Sequence, residues 1–495
     1  MLRRKFLKLS AGLGGLLALG TSAAHPDERA NGRQWDRGRL RHIIPTASDR
    51  EFLIKTSFNE PLCHPPVLTV DHREIVGTQT DTGKRFWEFR VSSLDPARRY
   101  ELGLKQAREA GGKPLCGSWE LETFPSADSH PDNVRILFYS CAGGDENAGY
   151  LATKTRSRLL RRALSFAPHA AVANGDHVYR DLRPQRRPSF VSPVASVARR
   201  ELPVLGTQSE AFVKSVGDRQ IVDVYGVDFR STPMFFVQDD HDYFDNDEAT
   251  ERLITFPPDP FMKEMARVTQ KLYYPEFLPD TQRPDDLPGA GRDEAGRSIA
   301  ESFGTIRYGQ LLEALIYTVR RTLTMKGEDA VFVGPDVEQW LINRMAEDRG
   351  DHVVHVPSNP AGWTAGKWGE WYPDELDKSG LQTASPPKRY WQQGWLAQHD
   401  RLLAAMSAMA GRVPLTMSGD LHASALGRIK RTGSIDLSAN PVIAVLCGAL
   451  GTGTGWPSRS RGAARPPLHI EMEQLVEPIE KNGFTIADFS ARGVT

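Results

Sequence analysis

Four apolar runs in this chain end in residue types that bind metal ions. Residues 134–140 lead into Cys141, and residues 170–174 into Gly175-Asp176-His177-Val178-Tyr179. Residues 234–238 lead into Asp239-Asp240-His241-Asp242, and residues 413–418 into Gly419-Asp420-Leu421-His422. One such end carries little meaning, because acids often cap strands and a lone cysteine is usually an inert buried thiol. Four together are harder to explain as structure alone. In an α/β sheet, sites form beyond the strand ends, so four ends delivering thiol, phenol, imidazole and carboxylate groups can surround one small volume. Gly175 and Gly419 stand where the backbone must turn sharply out of a sheet.

The elements that must position these residues are legible from periodicity. After residue 133 the chain alternates apolar strand-like runs with helical ones, as α/β proteins do. Helices are predicted at 153–165, 260–271, 337–348 and 396–410. Before that, runs at 52–56, 67–70, 86–91, 100–104 and 119–123 alternate as half-buried strands do, which predicts a small β-sandwich. Residues 25–40 and 125–133 read as linkers. Three loops, 183–199, 279–297 and 456–467, read first as solvated surface. The first and third are basic, so the alternative is a rim that steers an anionic substrate.

The 495-residue length predicts more than one domain. Lys+Arg and Asp+Glu balance at 62 each, which points away from a stable nucleic-acid complex and from an anionic membrane surface. Four cysteines make no disulfide scaffold, although Cys63 and Cys116 lie in one region and can pair after export. The segment Arg3-Arg4-Lys5-Phe6-Leu7-Lys8, a Gly-diluted apolar run at 9–19, and Ser22 and Ala24 resemble a twin-arginine export signal over residues 1–24. The run is too short to span a bilayer, and no later segment qualifies.

The motif order Ser140-Cys141, Gly175 to Tyr179, Asp239 to Asp242, Gly419 to His422 resembles the alkaline phosphatase D family of calcineurin-like metallophosphoesterases. Gly334 to Leu341 is similar to that family's Gln-x-x-Trp-Leu helix start, with Val337 in the Gln place, and Asn482-Gly483-Phe484 to its closing strand. The resemblance implies an α/β fold: a four-layer α/β/β/α sandwich at 133–495, preceded by a fibronectin-III-like β-sandwich domain at 40–125. It implies Fe3+ held by Cys141, Asp176, Tyr179 and Asp420, with Asp176 bridging to Ca2+ or another divalent ion, and Asp240 and His422 as further ligands. Asn246 is a further candidate, within a stretch (245–248) that also reads as a solvated acidic loop. The chain departs from the family at Asp242, where Glu is commoner, at 315–320, which lacks an expected Asp, and at Arg389-Tyr390-Trp391. It reads as a divergent branch.

The expected reaction is hydrolysis of phosphate monoesters or diesters by hydroxide that paired metals make available near neutral pH. His241 is the candidate proton donor to the leaving oxygen, with Asp242 orienting its ring. His177 reads as a supporting or surface residue, and the pair His352 and His355 falls on opposite faces. A phospholipase-like phosphodiesterase is the alternative on the same scaffold, with Trp363, Trp368 and Trp371 receiving a larger lipid or nucleotide ester. A non-catalytic surface-binding protein is the alternative from another class. Expected partners are a phosphate ester and the twin-arginine machinery, in a periplasmic or secreted location.

Overall fold

The computed structural model describes residues 35–106, 112–180, 202–243, 256–280, 287, 290–292, 298–300, 303–377 and 379–495. The export-signal segment, the 183–199 loop and the 245–248 stretch with Asn246 lie outside them.

Residues 40–122 form two four-stranded antiparallel sheets. Phe52–Phe58 and Phe86–Val91 pair centrally in one of them. The first strand, Leu40–Ala47, is not among the runs predicted above; its register with Phe52–Phe58 extends back to Leu40. The turn at Leu94-Asp95-Pro96 is fixed by a 2.6 Å bond from the Asp95 N–H to the Tyr100 hydroxyl. Cys63 is exposed and Cys116 buried, and the two do not pair.

The rest of the chain supplies strands β1 (Asn133–Tyr139), β2 (Ala170–Asn174) and β3 (Met234–Val237). It continues with β4 (Phe303–Tyr308), β5 (Leu312–Tyr317), β6 (His352–Pro357), β7 (Leu415–Ser418), β8 (Ser424–Thr432) and β9 (Ile435–Asp436). The last are β10 (Val442–Cys447), β11 (Ile470–Ile479), β12 (Thr485–Ser490) and β13 (Gly493–Val494). One sheet runs β3-β2-β1-β12-β13, and the other β4-β5-β6-β7-β10-β8-β9 with β11 on β8. The strands nearest the site are parallel: β1, β2 and β3 in one sheet, β5, β6, β7 and β10 in the other. Parallel strands covered on both faces need near-continuous apolar runs, and these have them.

Alternation sorts the faces. Ile136, Phe138, Val172 and Val237 pack with Ile316, Val354 and Met417 in one core between the sheets. Leu137, Tyr139, Ala171, Ala173 and Phe236 face the other way, against helices α1 (Thr153–Leu164), α2 (Gln208–Gly217) and α3 (Pro260–Tyr273). Leu315, Val353 and Ala444 face α4 (Pro335–Ala346) and α5 (Gln393–Ser407). The result is the expected helix, sheet, sheet, helix layering. α3 starts where Asp259 caps the Met262 N–H with Pro260 in the first turn. α4 starts two residues before its expected position because Pro335 fits a first turn. Among the described residues no helix is long and apolar enough to cross a membrane.

The β-sandwich is fixed to the α2 and α3 side by buried polar contacts. Lys55 is fully buried between Glu88 at 2.7 Å and Glu276 at 2.8 Å. Lys214 meets Asp81 at 2.6 Å, and Arg41 meets Asp218 at 2.6 Å. A sandwich held this way is a brace, which weighs against its use as a freely tethered binding module.

His42 joins the same junction, with Nδ1 2.6 Å from Ser57 Oγ and Nε2 2.8 Å from the Tyr273 carbonyl. Burial lowers its pKa to about 4, against the opposing bond to Tyr273. The ring is therefore neutral in the fold, while an unfolded histidine titrates near ~6.5. Between those values the unfolded chain binds the extra proton, so this contribution is lost as pH falls from about 6.5 to about 4. The expected loss reaches about 3 kcal/mol at the lower end. Denaturation of wild type and His42→Gln across that window checks this: the variant should show a shallower fall, and parallel curves would refute it.

Candidate metal centre

The two sheets are stitched together at the ends of the site strands. Asn174, the last residue of β2, donates through Nδ2 to the carbonyls of Pro357 and Met417, each at 3.1 Å. The Ser140 N–H reaches the Gly448 carbonyl at 2.9 Å, and the Leu450 N–H returns to the Ser140 carbonyl at 3.0 Å. Ser140 Oγ accepts from the Asp420 N–H at 3.0 Å and lies 2.9 Å from Cys141 Sγ. A Cβ on Gly419 would come within 2.2 Å of that hydroxyl, so the close approach requires glycine. Gly175 is needed for its backbone, with φ +81.

Four candidate ligands have left-handed backbones: Cys141 (φ 49), Asp176 (φ 58), Asp420 (φ 63) and His422 (φ 49). Such conformations cost energy in non-glycine residues and persist where the surroundings over-determine them, commonly at functional sites. Here they turn each side chain inward as its strand ends.

The side chains meet in one cage. Three metal-capable groups, each with ligand atoms within 4.8 Å of one another, are Cys141/Asp176/His422, Asp176/Asp240/His241 and Asp239/Asp240/Asp420. Shared Asp176 and Asp240 make them continuous. Asp176 Oδ2 accepts from Cys141 Sγ at 3.2 Å and from the Tyr179 hydroxyl at 2.8 Å. Tyr179 Oη lies 3.4 Å from His422 Nε2, and its ring lies 3.9 Å from the His241 ring between centroids. All are buried except His422, which is half-buried beside the Trp456 ring. The fold therefore brings Cys141, Asp176, Tyr179, Asp240, Asp420, His422 and His241 together.

Asp242 is tied to the backbone of two neighbouring loops. Its Oδ2 accepts the N–H groups of Asp176 and Asp239, and its Oδ1 those of His177 and Val178, at 2.9 to 3.1 Å. Both oxygens are occupied in holding the two loops together. His177 is buried, with Nε2 2.8 Å from the Val237 carbonyl. His352 bonds the Ser490 carbonyl, while His355 lies between Tyr317 and Met345. Trp363, Trp368 and Trp371 are buried core residues; Trp371 packs on Phe332 and Trp368 on Trp395.

Three supporting residues are not among the candidates named from the sequence. Gln220, in a π turn at Asp218–Val222 after α2, accepts from the Gly144 and Tyr179 N–H groups and donates to the Tyr179 carbonyl. π turns often mark functional sites. Arg320, just beyond β5, reaches Asp239 Oδ1 at 2.7 Å and stands 3.8 Å from Asp420 Oδ2. Lys367 Nζ reaches Asp420 Oδ1 at 2.5 Å and Asp240 Oδ2 at 3.7 Å.

The electrostatics suit a multiply charged cation. Burial pushes the Cys141 thiol and the Tyr179 phenol well above their ordinary ranges, and the nearby Asp176 adds to both. Burial, then Asp240, raises Asp176. Burial raises Asp239 despite Arg320. Burial would also raise Asp240, but Lys367, His241 and Arg320 outweigh it and hold that acid low. Asp239 Oδ2 and His422 Nδ1 are buried without a hydrogen-bond partner. A cation relieves such crowded acids and takes up such donor atoms. The residues present therefore fit a metal centre.

No protein-family model matches the chain, and no curated protein matches it in sequence. Among solved structures, PhoD is similar with a TM-score of 0.57 and 12% identity, over 91% of this chain and 84% of that one. A purple acid phosphatase from yellow lupin (Lupinus luteus) seeds is similar with a TM-score of 0.53 and 10% identity, over 92% of this chain and 71% of that one. The chain thus has the fold of PhoD and of the lupin purple acid phosphatase.

Proposed function

We propose that this protein is an exported metal-dependent phosphoesterase acting on phosphate monoesters and diesters. One observation carries the reading: four strand ends of a phosphatase fold converge on one buried cage of thiol, phenol, carboxylate and imidazole groups. Cys141, Asp176, Tyr179 and Asp420 would hold Fe3+; Asp240 and His422 would hold Ca2+ or another divalent ion, with Asp176 shared. Metals bound there supply a water of lowered pKa and neutralise charge on phosphoryl oxygens.

The chain's own residues do the rest. His241, on the face of Tyr179, is the group proposed to give a proton to the leaving oxygen. Asp242 positions the ligand loops. Trp456 stands beside His422, and Arg459, Arg461 and Arg465 follow in the same loop, a basic rim suited to an anionic ester. Burial of the three tryptophans removes the support for a lipid-sized pocket. The twin-arginine pattern at residues 1–24 is the basis for export to the periplasm or beyond.

Elemental analysis of the exported protein, a visible spectrum and assays on a phosphomonoester and a phosphodiester test the reading together. Iron with a broad ferric-phenolate band and hydrolysis of either ester are expected. Colourless, metal-free protein that hydrolyses neither would defeat it and favour the non-catalytic alternative.

A further inference from the structure

Lys367 sits where a cation is wanted. Its ammonium group touches Asp420 and Asp240, which with Asp239 form the third metal-capable group of the cage. The side chain is only 5% exposed. It is delivered by a packed loop: buried Glu370 accepts from Thr364 Oγ1 at 2.5 Å, the Ala365 N–H at 2.7 Å and Lys388 Nζ at 2.7 Å. Gly366 turns the chain with φ +70, and Trp363 is fully buried beneath. The reach of Nζ is therefore built in. On the other side, Arg320 bonds Asp239. Three acids at this end of the cage thus face two resident cationic side chains.

We propose that Lys367 is a built-in competitor for the second metal: held on Asp420, its ammonium group faces Asp240, the acid proposed above for the divalent ion, so the divalent position is the weaker, exchangeable one. The reason is charge. A divalent ion settling on Asp240 must displace the ammonium group, because like charges a few ångströms apart in a buried site repel strongly. The inference rests on the metal-dependent reading above and adds an order of affinity to it.

Calcium chloride titrated into the iron-containing protein, followed by calorimetry and elemental analysis, tests this. Lys367→Met should bind calcium more tightly, on the order of 10- to 100-fold, because a like charge a few ångströms away is gone. Lys367→Arg, which keeps the charge, should stay near wild type. Unchanged or weaker calcium binding in Lys367→Met overturns the proposal. Should that variant not fold, wild-type crystals soaked in calcium decide. Nζ displaced from Asp420 supports competition, and calcium on Asp240 with Nζ still on Asp420 overturns it. The readout is binding without substrate. A protein that shows the shift but hydrolyses no ester supports competition and overturns only the phosphoesterase reading.

Discussion

Asp176→Asn should remove metal and activity together. A fall in kcat/KM of at least about 10³-fold is expected, the scale of losing one transition-state donor outright. Asp176 belongs to two of the three ligand groups and receives bonds from both the Cys141 thiol and the Tyr179 hydroxyl. Asparagine is the informative substitution because it tolerates the left-handed backbone at φ 58 as aspartate does. Loss in this variant then reports charge rather than strain. The metal-free variant should be no less stable than metal-free wild type, since burial and neighbouring acids already oppose the Asp176 charge. Metal analysis, steady-state kinetics and thermal denaturation read the three effects. Full metal retention with normal turnover would remove Asp176 from its bridging place.

Asp242→Ala should cost stability even in the metal-free protein, by about 4 kcal/mol or more. The reason is four amide N–H groups, from Asp176, His177, Val178 and Asp239, left buried without their acceptor. Each such loss typically costs about 1–3 kcal/mol. Asp242→Asn should recover part of this, because one amide oxygen still accepts while the new NH2 meets two donors. Denaturant unfolding of metal-free proteins separates the clamp from a ring-orienting role. A ring-orienting acid would change the pH profile of hydrolysis and leave stability near wild type.

The boundaries of most elements were legible because their causes are local. Residues 170–174 and 86–91 match Ala170–Asn174 and Phe86–Val91, and the helix at 153–165 ends one residue earlier. Period-two and period-3.6 patterns record which side of an element is buried, and a strand or helix carries that record within itself. The segment Gln208–Tyr225 escaped notice because its helix passes into a π turn, which breaks the period.

The convergence of the candidate ligands was also readable, since each follows a strand within a few residues and the fold gathers the strand ends. Asp242 shows where such reading stops. Its neighbour His241 implied one role, while the amides of the Gly175–Tyr179 turn, some 64 to 66 residues distant, gave it another. Arg320 lies 81 residues from Asp239, and Lys367 lies 53 residues from Asp420. Arg320 closes the 315–320 stretch compared with the family above, but nothing near Lys367 marks it as belonging to the cage.

Sequence alone therefore determined what each strand end offers: the ligand types, their order and the alternation that buries the strands beneath them. Tertiary structure alone decided which charges oppose them, which loops are clamped and where the sheets pinch shut. The physical reason is that burial patterns are written in neighbouring residues. The pairing of buried charges depends on which distant segments packing brings within a few ångströms, where removal from water makes each pairing matter.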